Sequence, residues 1–169
     1  MARRASRAPA YEELVTRMAA IHERLRGGGT TVASAESCTG GLLAAVLSDH
    51  SGSSEYYLGG AVVYSNSAKI VLADVPSQLI HGHGAVSSVV AAALARGARD
   101  RLGARVGLGI TGIAGPGGGT ARKPVGLVYV AVESEPLSTV RTCRWSFDRA
   151  GNRLASVGAA LDLLERCIA

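Results

Sequence analysis

Aromatic residues, cysteines and long hydrophobic runs are all scarce in this chain. Among 169 residues there are one Trp, one Phe and five Tyr, so stacking of nucleic-acid bases on aromatic side chains is disfavoured. Cys38, Cys143 and Cys167 are widely spaced and odd in number, which predicts no disulfide framework or cysteine metal site and favours the cytoplasm. No apolar run approaches the roughly 18 residues that cross a bilayer, so we expect no membrane partner.

Positive charge is concentrated at the amino end. The formal net charge is +5, and residues 1–10 hold Arg3, Arg4 and Arg7 without any acidic residue. We interpret residues 1–10 as a flexible basic tail, because terminal segments of this kind are usually solvated. The remainder, residues 11–169, is long enough for one domain with a full core. A nucleic-acid partner is therefore disfavoured.

Helical and strand-like hydrophobic patterns alternate along the chain. Helical spacing predicts helices over residues 11–26, 39–48, 67–72, 88–102 and 152–168. Apolar runs bounded by turn residues predict strands over 30–34, 57–64, 105–111, 125–133 and 139–147, with a brief turn at Pro76. Strands that alternate with helices, followed by a hairpin and a final helix, predict an α/β fold. We expect a three-layer α/β/α sandwich with a mixed, mostly parallel sheet.

A hydroxyl and a thiol lie at the first strand-to-helix junction, in the segment Ala35-Glu36-Ser37-Cys38-Thr39-Gly40-Gly41. The free N–H groups of a helix start favour negative charge, whether a phosphate or a developing oxyanion. The two glycines allow close approach of a substrate to the backbone. Taken alone, the segment is equally well interpreted as a Ser or Thr that caps a helix.

Two other patterns resemble binding motifs but lack the required context. Residues 107–112 match G-x-G-x-x-G, yet these glycines fall inside a predicted strand, and more glycines and a proline follow where a phosphate-binding helix would begin. His81 and His83 have no carboxylate nearby in sequence, which favours a surface turn over a metal pair. We therefore expect neither a dinucleotide cofactor nor a metal.

Three residues form a candidate catalytic group. Ser37 is a possible nucleophile, Tyr64 ends a predicted buried strand, and Lys69 lies in the first turn of the following helix. A serine hydroxyl attacks only if a neighbouring base takes its proton. A lysine serves as that base when burial or nearby positive charge lowers its pKa. Each residue also has an ordinary structural interpretation, as a cap, a core-edge tyrosine or a solvated lysine.

Six ordered motifs, which span the chain from about Tyr11 to its end, resemble the CinA C-terminal domain family. They are Glu36-Ser37-Cys38-Thr39-Gly40-Gly41, Gly52-Ser53-Ser54, Tyr64-Ser65-Asn66-x-x-Lys69, His83-Gly84-Ala85-Val86-Ser87, Thr111-Gly112-Ile113-Ala114-Gly115-Pro116 and Lys123-Pro124-Val125-Gly126. The family's characterised enzymes are nicotinamide-nucleotide amidohydrolases, also called nicotinamide mononucleotide deamidases. The resemblance implies hydrolysis of the carboxamide of nicotinamide mononucleotide to nicotinate mononucleotide and ammonia. It also implies a homodimer or larger homo-oligomer, and it carries over no metal or cofactor.

The same resemblance assigns roles to individual residues. A Ser–Lys–Tyr catalytic group falls on Ser37, Lys69 and Tyr64. The segment Phe147-Asp148-Arg149-x-x-x-Arg153 lacks the family's glycine before Asp148, and it implies that Arg149 is the substrate-pocket cation. The expected substrate-binding residues are Cys38, Thr39, Gly40, Gly41, Ser54, Thr111, Gly112 and Arg149. Three alternatives stay open: Cys38 as nucleophile, Arg153 rather than Arg149 as the residue that holds the phosphate, and a catalytically silent nucleotide-binding or regulatory module of the same fold.

Overall fold

A computed structural model describes residues 7–168, which form a central sheet between two layers of helices. The helices are α1 (Tyr11–Gly28), α2 (Leu42–Ser48), α3 (Asn66–Ala73), α4 (Ser77–His83), α5 (Ser88–Leu102) and α6 (Arg149–Cys167), with a 3₁₀ helix at Ser53–Glu55. The strands are β1 (Val32–Glu36), β2 (Tyr57–Val62), β3 (Val106–Gly112), β4 (Leu127–Glu133) and β5 (Ser138–Arg144).

The sheet is mixed, in the order β2-β1-β3-β4-β5. Strand β1 pairs in parallel with both β2 and β3, whereas β4 runs antiparallel to β3 and to β5. The carboxyl ends of β1, β2 and β3 therefore meet at one edge of the sheet, where ligands of open α/β sheets usually bind. The predicted α/β class and mixed sheet are confirmed.

Each face of the sheet is covered by its own helices. Helices α1, α2 and α6 pack on one face, where Met18, Leu43 and Leu161 are fully buried. Helices α3, α4 and α5 cover the other face. Helix α5 approaches β3 closely, since a Cβ at Gly107 or Gly109 would overlap main-chain oxygens of α5. These two glycines of the G-x-G-x-x-G pattern thus permit close helix–sheet packing.

Two predicted helix starts differ from the observed ones. Helix α2 begins at Leu42 rather than at residue 39, because Gly40 and Gly41 have φ angles of 60° and 94° and form a left-handed turn. Helix α6 begins at Arg149 rather than at residue 152, because the Asp148 side chain accepts a hydrogen bond of 2.7 Å from the Gly151 N–H.

Other boundaries shift for local reasons. Strand β1 covers 32–36 rather than 30–34, and β5 ends at Arg144 rather than at residue 147. Helix α4 occupies the segment predicted as a brief turn at Pro76, which immediately precedes the helix. Of the predicted basic tail, residues 1–6 lie outside the described residues, and Arg7 forms a salt bridge with Glu13. No helix within residues 7–168 is long and apolar enough to span a membrane.

Candidate active site

The turn that follows β1 is held by a buried carboxylate. Glu36, the last residue of β1, is 1% exposed and accepts hydrogen bonds from the N–H groups of Gly41, Leu43 and Ala44 at 3.2, 3.0 and 2.8 Å. The first turn of α2 is therefore already neutralised by a side chain of the chain itself. An anionic ligand has fewer free amides here than the sequence predicts.

Two N–H groups of the turn stay available. The Gly40 N–H donates to the Ser37 oxygen at 3.1 Å, and the Gly41 N–H is bound to Glu36. Within residues 7–168 the N–H groups of Cys38 and Thr39 have no main-chain or side-chain acceptor in another residue. Cys38 lines the cavity described below, whereas Thr39, Gly40 and Gly41 do not, and Thr39 is fully buried. Of the two free N–H groups, that of Cys38 is therefore the better placed to donate to a developing oxyanion.

Ser37 is fixed at the carboxyl end of β1. Its N–H donates to the Ile110 oxygen at 2.9 Å, which extends the pairing of β1 with β3 by one residue, and the residue is 8% exposed. The neighbouring Cys38 is 6% exposed, and burial raises the pKa of its thiol to about 12. Because a thiolate is the reactive form of cysteine, this environment disfavours Cys38 as the nucleophile.

Lys69 is a buried lysine without a carboxylate partner. It is 2% exposed, and within the described residues its Nζ donates only to main-chain oxygens, at 3.0 Å to Val63, 3.4 Å to Tyr64 and 3.5 Å to Ser65. Burial lowers the pKa of this ammonium, and nearby Cys38 opposes the shift weakly. A larger fraction of Lys69 is therefore neutral near pH 7 than of an exposed lysine.

Tyr64 lies at the rim of the site. Its side chain is 60% exposed, and its hydroxyl accepts a hydrogen bond of 2.8 Å from Arg149 Nη2. Lys69 reaches Tyr64 only at the main-chain oxygen. The structure thus brings the phenol to the predicted substrate-pocket cation rather than to the lysine amine.

Ser37, Tyr64, Lys69 and Arg149 line one open cavity of about 290 Å³ at the carboxyl ends of β1 and β3. The predicted residues Cys38, Thr111 and Gly112 also line it. Thr111 is 1% exposed and donates to the Ala85 oxygen at 2.8 Å, so its hydroxyl joins β3 to the segment before α5. The other lining residues are Asn66, Ala85, Val86, Ile113, Ala114, Gly115, Gly117 and Gly118.

Asn66 and the glycine loop were not singled out as site residues from the sequence. Asn66 opens α3 between Tyr64 and Lys69, so its place inside that motif was the available signal. The loop 115–118 reaches the cavity because the chain turns back there between β3 and β4. The glycine-rich composition of the loop permits close approach of a ligand. Composition alone does not predict that the loop lies beside Ser37.

The two arginines of the Arg149-x-x-x-Arg153 pattern have different partners. Arg149 donates to the Gly115 oxygen at 2.7 Å as well as to Tyr64, and it lines a second cavity of about 660 Å³ that shares Ala114 and Arg149 with the first. Arg153 instead donates to the Thr39 oxygen at 2.7 Å. Of the two, Arg149 lines the first cavity and Arg153 does not, whereas both line the second.

Ser54 lies away from this cavity. It is exposed in the 3₁₀ helix Ser53–Glu55, before the amino end of β2, whereas Tyr64 follows the carboxyl end of the same strand. The structure does not bring it together with Ser37. No group of three or more potential metal ligands is found within residues 7–168.

Comparisons with known proteins place the chain in a family. The model of the CinA C-terminal domain matches residues 15–168. A CinA-like protein of Koribacter versatilis is 49% identical over 154 residues, which are 91% of this chain and 37% of that protein. A CinA-like protein of Mycolicibacterium paratuberculosis is 48% identical over 163 residues, or 94% of this chain and 37% of that protein. The chain thus spans about a third of the length of these relatives.

Solved structures agree over nearly the whole chain. The competence/damage inducible protein CihA from Agrobacterium tumefaciens superposes with a TM-score of 0.87 at 40% identity, covering 95% of this chain and 98% of that one. A competence-damaged protein (CinA) superfamily protein from Escherichia coli gives 0.84 at 31% identity, with 94% and 90% covered. With this fold and its six ordered motifs, the chain belongs to the CinA C-terminal domain family.

Proposed function

We propose that this chain is a nicotinamide-nucleotide amidohydrolase that converts nicotinamide mononucleotide to nicotinate mononucleotide and ammonia. One observation carries the proposal. A serine at the end of β1 and a buried lysine without a carboxylate partner line the same cavity. That pairing supplies a nucleophile and a base of lowered pKa, which are the minimum that serine acyl transfer requires.

The first half of the reaction breaks the carbon–nitrogen bond. Neutral Lys69 takes the proton of the Ser37 hydroxyl, and the oxygen attacks the carboxamide carbon. As the tetrahedral intermediate collapses, Lys69 returns this proton to the amide nitrogen, which leaves as ammonia. The nicotinoyl group stays on Ser37 as an ester. Water then attacks the ester with Lys69 again as base, which releases the carboxylate product and restores the serine.

Main-chain groups stabilise the negative charge that develops on the carbonyl oxygen. The N–H groups of Cys38 and Thr39 are the free donors of the turn that carries Ser37. Removal of one such donor in a hydrolase costs roughly 10²–10³ in kcat. Metal ions have no part in these steps.

Arg149 is the proposed contact for the substrate phosphate. Its guanidinium lies between the Tyr64 hydroxyl and the Gly115 oxygen, where the two cavities meet. A guanidinium binds a phosphomonoester through two parallel hydrogen bonds. The pyridine ring would then occupy the cavity beside Ser37, and the ribose phosphate would extend toward the second cavity. The hydrogen bond to Tyr64 holds the guanidinium in this place.

The direct test is ammonia release from the purified chain with nicotinamide mononucleotide and no added metal. We expect ammonia and nicotinate mononucleotide in equal amounts, measured by a coupled assay and by chromatography. Binding of the nucleotide by calorimetry without release of ammonia would contradict the proposal and favour the silent nucleotide-binding module. Absence of both would exclude this substrate.

A further inference from the structure

Arg153 joins helix α6 to the turn that carries Ser37. Its Nη2 donates a hydrogen bond of 2.7 Å to the main-chain oxygen of Thr39, across 114 positions of sequence. The same oxygen accepts the N–H of Leu42 at 3.2 Å. A hydrogen bond from a charged guanidinium is shorter and stronger than a neutral one. The turn is therefore held to α6 through the carbonyl of Thr39, the residue that also carries the second of the two free N–H groups.

Two buried polar atoms at this contact have no hydrogen-bond partner within residues 7–168. They are Oγ1 of Thr39, whose side chain is fully buried, and Nε of Arg153. Nearly all buried polar groups in proteins are paired, because an unpaired one weakens the folded state. A contact selected for stability alone is not expected to leave an unpaired buried atom on each of its two residues. Unsatisfied groups of this kind are expected where function sets the arrangement.

The charge of Arg153 acts against that of Glu36. The buried Glu36 carboxylate lies at the start of α2, next in sequence to Ser37, and a negative charge there disfavours an oxyanion on the serine adduct. Arg153 supplies a positive charge to the same turn. Burial is the main cause of the raised pKa of Cys38, and the two charges act on it in opposite directions, since Glu36 raises it and Arg153 lowers it.

We infer that Arg153 is a positioning residue for the reaction at Ser37. Its guanidinium fixes the Thr39 carbonyl, which keeps the N–H groups of Cys38 and Thr39 available to the oxyanion, and its charge offsets that of Glu36. The inference rests on the proposed role of Ser37 as nucleophile. It separates the two arginines by task, with Arg149 binding substrate and Arg153 acting through the turn.

Steady-state kinetics with nicotinamide mononucleotide distinguish these tasks. We expect Arg153→Met to lower kcat by about 10- to 100-fold, less than the loss of an oxyanion donor itself, with KM changed by less than about twofold. Arg153→Lys should recover part of kcat, since it keeps the charge. Arg166→Met, at the exposed end of the same helix, is the matched control and should equal the unmodified chain. A raised KM at unchanged kcat would overturn the inference and make Arg153 a substrate contact.

A second readout does not depend on the substrate. Phenylmethanesulfonyl fluoride forms an Oγ–S bond with an activated serine as the S–F bond breaks, fluoride leaves and the base takes the proton. Intact-mass measurement should show labelling of the unmodified chain that is absent in Ser37→Ala, at least about tenfold slower in Arg153→Met and of intermediate rate in Arg153→Lys. Melting curves verify that each variant is folded.

The outcomes separate the two claims. Labelling that is equally fast in folded Arg153 variants would overturn the role of Arg153 alone. Labelling that slows as expected, in a chain that releases no ammonia from nicotinamide mononucleotide, would support Arg153 and contradict the proposed substrate. A folded chain that neither reacts with the probe nor turns over would overturn both.

Discussion

A cavity lies at each end of the parallel strands, and the two cavities differ in how their charged side chains are paired. At the amino ends of β1 and β3, a cavity of about 570 Å³ is lined by Arg99, Arg105 and Glu135, among others. Arg99 is bound there to Asp100 and to Glu133. At the carboxyl ends the cavity is smaller, about 290 Å³, yet it holds the buried Lys69, which has no acidic partner within the described residues.

This difference shows why the smaller cavity is the better candidate site. The charges of Arg99 and Glu133 at the amino ends are paired and partly exposed, so they resemble the ion pairs of a protein surface. A buried amine without a counter-ion has a lowered pKa, and perturbed groups of this kind cluster at functional sites.

The largest difference in kcat is expected when the cation at each end is replaced by Met. Lys69→Met should lower kcat by at least about 10³-fold, because both the base for Ser37 and the acid for the leaving ammonia are lost. Arg99→Met removes a charge from the opposite cavity and should leave kcat within about twofold. Ammonia release by the two purified variants checks this. Retained turnover in a folded Lys69→Met protein would contradict a catalytic role for the buried lysine at the carboxyl ends.

The pH dependence sharpens the same comparison. Only neutral Lys69 accepts the serine proton, so kcat/KM should rise about tenfold per pH unit below the Lys69 pKa and level off above it. Because burial lowers this pKa, the plateau should begin below the ordinary lysine range, and Arg99→Met should not move it. A profile that is flat from pH 5 to 9 would contradict Lys69 as the base.

The lowered pKa of Lys69 should also make the free energy of unfolding depend on pH. The unfolded chain binds more protons than the folded one between the lowered and the ordinary pKa of Lys69. The free energy of unfolding therefore rises with pH across that window, relative to Lys69→Met. Urea unfolding of both proteins at several pH values measures this difference. A difference that grows in the opposite sense would show that Lys69 is charged in the folded state.

Exchanging a carboxylate at each end should have a moderate effect on stability. Glu36→Gln leaves a buried amide where three main-chain N–H groups now meet a carboxylate, and we expect a loss of about 1–3 kcal/mol in the free energy of unfolding. The nearest arginine nitrogens to Glu133 are 3.7 and 3.8 Å away. Glu133→Gln should therefore lower the free energy of unfolding by less than about 1 kcal/mol. If urea unfolding showed equal losses of stability for the two variants, the three hydrogen bonds to Glu36 would not stabilise the fold as expected.

The smallest effect is expected at the rim. Tyr64→Phe removes the hydroxyl that holds Arg149, but the ring is largely exposed and does not contact Lys69 Nζ through its hydroxyl. We expect kcat/KM for nicotinamide mononucleotide to fall about 3- to 10-fold, mainly through KM. A loss as large as that of Lys69→Met would instead show that Tyr64 carries a proton in the reaction.

Much of the fold could be predicted because hydrophobic periodicity reports burial directly. All five strands and the positions of Ser37 and Lys69 at the carboxyl edge follow from it. Tertiary contacts were harder to foresee. Glu36 consumes N–H groups that the sequence assigned to a ligand, and Arg149 draws the Tyr64 hydroxyl away from Lys69. Both contacts join atoms whose proximity depends on the turn geometry rather than on residue spacing.

Other expectations stay predictions. Ser54 lies outside the cavity. A role for Ser54 in substrate binding would therefore require a further group, from outside this single chain, that joins Ser54 to the substrate. A homodimer or larger assembly and a cytoplasmic location likewise rest on the sequence alone. The exposed apolar side chains at and after β2 and on α3, which are Leu58, Val62, Tyr64, Ile70, Val71 and Leu72, are the surface where an assembly would first be sought.

The central claim is that Ser37 is the nucleophile, and a pair of buried serines tests it. Ser37 lies at the carboxyl end of β1, and Ser134 follows β4 beside the opposite cavity, at 8% and 4% exposure. Ammonia release from nicotinamide mononucleotide should vanish in Ser37→Ala and persist in Ser134→Ala, which loses hydrogen bonds only to Leu137 and to Cys167 Sγ, away from Ser37. Near-normal release by folded Ser37→Ala would contradict the account and transfer attention to Cys38.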